Sequence, residues 1–222
     1  MNKRFKIIIG EACLLLTLIL IVMLLTVDVA PIGPKDTSIG FSHLNGGIFG
    51  LLGQSSFFTF VTNVLGILAI LVAAGFAFLG VMELIQRKSL QKIDSEFYAL
   101  AGLYVAMGIV YIFFDKIVAV NYRPVIEAGD TLPEASFPST HTLLACVVFG
   151  SAILVLFKFV KNPKIRLIAN CVLGCLMALT VIGRLLAGVH WFTDIIGGIL
   201  ISGVLLSVFS LVLDIMKEKR GR

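Results

Sequence analysis

Six mostly apolar stretches, each about 20 residues long, restrict what this sequence can fold into. They lie at about 7–27, 57–82, 97–115, 142–159, 167–187 and 192–213. A helix of about 20 apolar residues crosses the hydrocarbon core of a bilayer. The chain is 59% hydrophobic and 14% charged, which excludes a disordered chain, a coiled coil and an ordinary soluble enzyme. We predict an all-α protein in which residues 1–222 form one domain, a bundle of six transmembrane helices.

The first apolar stretch has two interpretations. The basic residues before it make it resemble a secretory signal peptide. It is about 21 residues long, however, which exceeds the usual apolar core of a signal peptide. The candidate cleavage point after Ala30 also has Asp28 three residues before the cut and Pro31 directly after it. We therefore expect an uncleaved first transmembrane helix.

The basic residues are distributed unevenly between the loops. Fourteen of the eighteen lie in four clusters that a six-helix topology places on one side of the membrane, and basic residues accumulate in cytoplasmic loops. This pattern predicts that both termini are cytoplasmic, and it attributes the net charge of +5 to membrane orientation instead of a nucleic-acid partner. The clusters are Lys3, Arg4 and Lys6; Arg87, Lys88 and Lys92; Lys158, Lys161, Lys164 and Arg166; and Lys217, Lys219, Arg220 and Arg222.

Three of the four remaining basic residues lie near the predicted outer ends of helices. They are Lys116, Arg123 and Arg184, whereas Lys35 lies beside Asp36 and is expected to be a solvated surface residue. Ionisable groups close to a membrane span are uncommon and often functional. Segments 116–124, 138–141 and 183–194 contain these three cations together with two histidines, a serine and an aspartate. We expect the three segments to meet on the outer side.

The residue types in these segments are those that bind and transfer a phosphate group. Arginine offers a planar fork of donors and lysine a point charge. Ser139 and Thr140 stand at the predicted start of the fourth transmembrane helix, where free backbone N–H groups favour an anion. His190 and Asp194 are four residues apart, so on a helix they would share a face, and the carboxylate would hold one ring nitrogen while the other attacks. His141 would donate a proton to a leaving oxygen.

The three segments together resemble the signature of the type 2 phosphatidic acid phosphatase (PAP2) superfamily, which reads K-x6-R-P, P-S-G-H and S-R-x5-H-x3-D. The first motif matches at Lys116, Arg123 and Pro124. The second reads P-S-T-H, with Thr140 in the glycine position, and the third reads G-R-x5-H-x3-D, with Gly183 in the serine position. The resemblance implies a helical core of the PAP2/haloperoxidase type and the activity of a bacterial membrane lipid phosphatase.

The resemblance also implies a role for each motif residue. His190 would be the nucleophile that forms a phosphohistidine intermediate, and Asp194 would orient and stabilise it. His141 would protonate the leaving group and later activate water. The residues that would bind the phosphoryl oxygens are Lys116, Arg123, Ser139, Thr140 through its backbone N–H, and Arg184. Because Gly183 lacks the hydroxyl of the family serine, one phosphate contact would be absent or replaced.

We expect neither a metal ion nor another cofactor. The cysteines lack zinc-type spacing. The outer-loop carboxylates Glu127, Asp130 and Glu134 match no common metal motif, and we interpret them as a solvated face. Fixed cations of the protein would then stabilise the negative charge that develops on the transferred phosphoryl group.

A site at the outer membrane boundary would receive a lipid laterally from the bilayer. The leading hypothesis is a cell-membrane phosphatase that acts on undecaprenyl diphosphate, phosphatidylglycerophosphate or phosphatidate. The alternatives are a phosphotransferase of the same family, which would use an acceptor alcohol instead of water, and a binding or transport protein with a dead site. A soluble phosphomonoester is an alternative to a lipid substrate. Segment 28–56 is interpreted as an interfacial segment or as a lid over the site. The sequence does not specify the oligomeric state.

Overall fold

The structure, a computed structural model, describes residues 2–126 and 131–220, without the side chain of Arg220. Helices account for most of the described residues. The α-helices are α1 (Lys3–Thr26), α2 (Ser42–Leu52), α3 (Ser56–Arg87), α4 (Ser95–Ile112), α5 (Thr140–Phe159), α6 (Pro163–Ala187) and α7 (Phe192–Arg220). A π-helical turn at Phe113–Ile117 extends α4, and short 3-10 turns lie at Pro34–Asp36 and Leu90–Lys92.

Six of these helices are long and apolar enough to cross a membrane, which confirms the predicted number of spans. The helix α2 has eleven residues and is too short to cross. Several helices extend past the predicted spans into polar sequence. The helix α6, for example, begins at Pro163 and not at 167, because Pro163 occupies its first position and the Asn162 side chain accepts from the N–H of Lys164 at 2.9 Å.

The helix α5 lies at the centre of the bundle. It packs against α3, α6 and α7, and half of its residues are buried, whereas α1 and α6 are largely exposed. The helix α1 packs along α7. Because the predicted P-S-T-H motif leads into the first turn of α5, its residues are anchored to the best-packed helix of the bundle.

The three motif segments meet at one end of the bundle, which we call the outer end. The non-helical stretches 118–126 and 131–139 pair there through a short antiparallel bridge between Tyr122 and Ala135. The backbone N–H of Ser136 donates to the Asn121 carbonyl at 2.8 Å, and the indole Nε1 of Trp191 donates to the Tyr122 carbonyl at 2.6 Å. These bonds connect the first segment to the stretch that leads into the second segment and to the third segment.

Segment 28–56 forms α2 and a turn that precedes it. The turn is closed by a bridge between Ala30 and Ile39. Asn45 of α2 is buried, and its Nδ2 donates to the Thr193 hydroxyl at 3.0 Å, at the start of α7. The ring of Phe49 lies 5.6 Å from that of Trp191. The segment therefore packs directly against the third motif segment.

Ion pairs join the helices at the opposite end, which we call the inner end. Lys6 of α1 lies 2.6 Å from Asp214 of α7. Lys158 of α5 contacts Asp94 and lies 3.1 Å from Glu96 at the start of α4. The first and last helices thus begin and end at the same end of the bundle, and the cytoplasmic location of that end stays a prediction.

Candidate functional site

A cavity of about 710 Å³ lies at the outer end between α3, α5, α6 and the stretch 118–126. Each motif segment contributes one predicted site residue to its wall, namely Arg123, His141 and Arg184. Pro124 keeps Arg123 out of a helix, as the sequence predicts, and the guanidinium Nε lies 3.4 Å from a Glu134 carboxylate oxygen. Two arginines and a histidine around one cavity suit a phosphate group.

Arg184 lies in the last turn of α6 and is buried, with its guanidinium directed at α3. Its Nη1 donates to the Thr62 hydroxyl at 3.2 Å and lies 3.5 Å from the Asn63 amide oxygen. The absence of a side chain at Gly183 permits this approach, because a Cβ there would lie 2.7 Å from Thr62 Cγ2. The hydroxyl beside Arg184 therefore comes from Thr62 on α3. In the family signature, the residue directly before this arginine, here Gly183, is a serine.

The second motif segment forms the start of α5. Ser139 is the N-cap residue, and its backbone N–H donates to the Asp194 carbonyl at 3.0 Å. The Ser139 hydroxyl is buried with no hydrogen-bond partner among the described residues, at a helix end that favours anions. The ring of His141 packs against Gly66 of α3, where a Cβ would lie 3.0 Å from His141 Cδ2. The side chain of Thr140 faces the apolar groove described below.

His190 and Asp194 are brought together, but not as the sequence predicts. His190 precedes α7 and does not share a helix face with Asp194, and the ring Nδ1 lies 4.0 Å from the Asp194 Oδ2, beyond hydrogen-bond distance. The Ser136 hydroxyl lies between them, 3.2 Å from Nδ1 and in a short hydrogen bond to Oδ2. The carboxylate also accepts from Asn121 Nδ2 at 3.2 Å and from the Trp191 N–H at 3.0 Å.

The environment of His190 keeps its imidazole neutral. The residue is 3% exposed, and its Nε2 is buried with no hydrogen-bond partner among the described residues. Burial, and then the positive charges of Arg184 and Arg123, lower the pKa of His190 well below its usual range. An unprotonated ring nitrogen is the form that can attack an electrophile.

An apolar groove of about 540 Å³ adjoins the polar cavity. It lies between the outer halves of α3 and α4 and the start of α5, with walls that include Ile67, Ile70 and Met107. Asn63 and His141 line both the groove and the cavity. The candidate site is therefore polar at one end and apolar at the other, with His141 at the junction.

Lys116 is placed apart from the other predicted phosphate ligands. It lies in the π-helical turn after α4, its side chain is 73% exposed, and its ammonium lies 2.8 Å from the Asp115 carboxylate. The described residues that line the cavity do not include it. Of the carboxylates interpreted as a solvated face, Glu134 contacts Arg123, whereas Glu127 and Asp130 lie outside the described residues.

Several polar residues of the site were not assigned a role from the sequence. Asn121 and Ser136 lie within or beside the predicted motif segments, so proximity to a motif was the signal that could have indicated them. Thr62 and Asn63 lie in an apolar span far from every motif, and only the packing of α3 on α6 brings them to Arg184.

Comparisons with known proteins identify the family and the fold. The model of a family described as the PAP2 superfamily matches residues 97–216, which is more than half of the chain. A crystal structure of the first transmembrane PAP2 type phosphatidylglycerolphosphate phosphatase from Bacillus subtilis is similar in fold, with a TM-score of 0.64 and 19% sequence identity. The similarity covers 94% of this chain and 96% of that one. Among curated proteins, none matches this sequence significantly.

Proposed function

Since the chain belongs to the PAP2 superfamily, we propose that it is a membrane phosphatase that hydrolyses a lipid phosphate or diphosphate through a phosphohistidine intermediate. Membership supports a phosphatase at the level of the family, and the substrate and mechanism are our proposal. Candidate substrates are undecaprenyl diphosphate, phosphatidylglycerophosphate and phosphatidate. The similar Bacillus subtilis structure is of a phosphatidylglycerolphosphate phosphatase, which makes that lipid a substrate to test first.

The observation that carries the proposal is the junction at His141. The cavity on one side of it contains Arg123 and Arg184, and the groove on the other side is apolar and runs between two membrane-spanning helices. A molecule with a phosphate headgroup and a hydrocarbon tail matches both surfaces at once. A soluble phosphomonoester would use the cavity and leave the groove without a function.

The reaction would proceed in two steps on the residues of the cavity wall and on His190, which is buried next to the wall residue Val189. The Nε2 lone pair of His190 attacks phosphorus while the phosphorus–oxygen bond to the lipid breaks, and His141 gives its proton to the departing oxygen. A water molecule then attacks the phosphohistidine, loses a proton to His141, and releases inorganic phosphate as the phosphorus–nitrogen bond breaks. Arg123, Arg184 and the start of α5 stabilise the negative charge on the phosphoryl oxygens in both steps.

The experiment is phosphate release by the purified full chain in micelles. The substrate panel contains isoprenyl diphosphates, phosphatidylglycerophosphate, phosphatidate, lysophosphatidate and a soluble phosphomonoester, each with and without EDTA. We expect release from at least one lipid and no loss with EDTA, since the protein's own cations stabilise the charge. A radiolabelled substrate is expected to leave an acid-labile, alkali-stable phosphoenzyme.

The variant His190→Ala tests the nucleophile. We expect kcat to fall by at least about 10³-fold and the phosphoenzyme to disappear. His43→Ala is the matched control, because His43 is an exposed histidine that pairs with Asp28 away from the cavity. Normal turnover by His190→Ala would refute the mechanism. Transfer of phosphate to a second lipid would indicate the phosphotransferase, and no reaction with any substrate would indicate a binding or transport protein.

A further inference from the structure

We infer that Ser136 is a positioning residue that couples His190 to Asp194. Its hydroxyl accepts a hydrogen bond from the Nδ1–H of His190 and donates one to the Asp194 carboxylate, and this fixes the ring tautomer whose Nε2 attacks phosphorus. The inference rests on the proposed phosphohistidine reaction and adds a residue outside the recognised motifs. The bridge through Ser136 takes the place of the direct contact between His190 and Asp194 that the sequence predicts.

The distances favour a serine bridge over a direct contact. His190 Nδ1 lies 3.2 Å from the Ser136 hydroxyl and 4.0 Å from Asp194 Oδ2. The same Oδ2 accepts hydrogen bonds from Ser136 and from the Trp191 N–H, and Oδ1 accepts from Asn121. The carboxylate is 0% exposed, and the donors that hold it are neutral groups from three parts of the chain.

The bonding capacities of the three groups allow one arrangement of protons. An ionised carboxylate accepts hydrogen bonds and cannot donate, so the single hydroxyl proton of Ser136 points at Asp194. The hydroxyl oxygen of Ser136 then has only lone pairs to offer His190, and the backbone carbonyl of Ser136, which also bonds the ring, can only accept, so Nδ1 carries the proton. In a neutral ring with the proton on Nδ1, the lone pair is on Nε2, the atom that is buried and has no hydrogen-bond partner among the described residues.

The backbone fixes Ser136 at this point. Its N–H donates to the Asn121 carbonyl at 2.8 Å, beside the bridge between Tyr122 and Ala135. Asn121 in turn donates through its side chain to Asp194. One pair of extended stretches therefore delivers both the serine that contacts the histidine and the amide that holds the aspartate.

The surrounding charges explain why a neutral hydroxyl suits this position. The charged and titratable groups that face His190 are Arg184 from α6, Arg123 from the stretch 118–126, His141 from α5 and Asp194 from α7. Positive charge from the two arginines disfavours a protonated ring before the reaction. When Nε2 is phosphorylated the ring becomes cationic, and the bond through Ser136 connects that new charge to the carboxylate.

The variant Ser136→Ala tests the bridge. We expect kcat to fall on the order of 10–100-fold with KM within about twofold, and the rate of phosphoenzyme formation to fall by the same factor. Ser136→Cys, which keeps a weaker donor and acceptor, is expected to lie between wild type and alanine. Ser202→Ala is the matched control, because Ser202 is equally buried and its hydroxyl bonds to the Gly198 carbonyl and the Cys146 thiol, neither of which lines the cavity.

A second measurement observes the tautomer of the His190 ring directly in the wild-type protein. Nitrogen-15 histidine labelling of the full chain, with His190→Ala to assign the ring signals, is expected to show the neutral His190 ring protonated on Nδ1. Ser136→Ala loses the hydroxyl but keeps the backbone carbonyl of residue 136 beside the ring, so the share of the Nε2-protonated tautomer is expected to rise. Wild-type kcat in Ser136→Ala, or a wild-type ring protonated on Nε2, would overturn the bridge. Near-normal turnover in His190→Ala would instead overturn the proposed reaction, so the two failures are distinguishable.

Discussion

The helix α7 carries an aspartate near each end, and the two are held in different ways. Asp214 at the inner end is 2.6 Å from the Lys6 ammonium, and its side chain is 26% exposed. Asp194 at the outer end is fully buried and accepts hydrogen bonds from the neutral groups of Asn121, Ser136 and Trp191. The two lie twenty residues, or about 30 Å of helix, apart.

The difference separates a structural carboxylate from one that is suited to chemistry. An ion pair such as that of Asp214 satisfies its own charge and joins two helices. Neutral donors hold the Asp194 carboxylate in place while leaving its negative charge able to respond to a change at His190. We assign the inner end to stability and the outer end to the proposed reaction, and each prediction below tests one side of this division.

The largest effect is expected from Asp194→Asn. The amide preserves the size of the side chain but removes the negative charge and places a donor opposite Ser136 or Trp191, so the proton arrangement of the bridge is disturbed. We expect kcat for lipid phosphate hydrolysis to fall on the order of 10³-fold or more, as for other histidines that lose their orienting carboxylate. The measurement is steady-state phosphate release in micelles.

Asp214→Asn is the matched control for this variant, since it makes the same change on the same helix. If both variants lost activity equally, the division of α7 into a reactive and a structural end would be wrong. Thermal unfolding in the same detergent checks that Asp194→Asn remains folded, because a buried carboxylate that loses its bonds can also destabilise the protein.

An intermediate effect is expected from Gly183→Ser, which introduces the residue of the family signature. The new Cβ would lie 2.7 Å from Thr62 Cγ2, and Thr62 cannot rotate freely because its hydroxyl donates to the Phe58 carbonyl at 2.8 Å and accepts from Arg184. We expect Arg184 to be displaced and kcat/KM to fall about tenfold, corresponding to about 1.4 kcal/mol of transition-state stabilisation.

The double variant Gly183→Ser with Thr62→Ala sharpens this test. Removal of the threonine methyl relieves the contact, and the new serine supplies a hydroxyl beside Arg184. The double variant is therefore expected to be more active than Gly183→Ser alone, a coupling that a double-mutant cycle measures directly. Additive losses would mean that Thr62 and Gly183 are independent of each other.

The fold was largely predictable because the length of an apolar stretch is a local property of the sequence. Six stretches of membrane-crossing length predicted six long helices, and the structure contains them. The residues at which the helices begin and end were less predictable. The helix α7, for example, continues to Arg220 beyond the predicted end at 213, because lysines and glutamates form helix well and do not mark where it stops.

The candidate site was predictable only where its residues are chemically distinctive. His141, His190 and Arg184 were identified because polar groups with these functions are rare beside membrane spans. Ser136 and Thr62 carry ordinary hydroxyls, and Thr62 lies 122 positions from Arg184 in an otherwise apolar helix. Their contacts depend on how helices and loops pack, which the sequence pattern does not specify. Because the sequence pattern does not specify this packing, His190 and Asp194 were expected to be in direct contact.

The smallest effect on turnover is expected at the inner end, from Asp214→Asn. The substitution removes the partner of Lys6, whose side chain is 9% exposed and whose ammonium also lies 3.3 Å from the Ser210 carbonyl. We expect the free energy of unfolding in mixed micelles to fall by about 1–2 kcal/mol, while kcat stays within about twofold of wild type. Glu218→Gln is the control, because its pair with Lys3 is more exposed and should contribute less than about 1 kcal/mol. A loss of turnover in Asp214→Asn without a loss of stability would show that the two ends of α7 are coupled, and the contrast between its two aspartates would then fail.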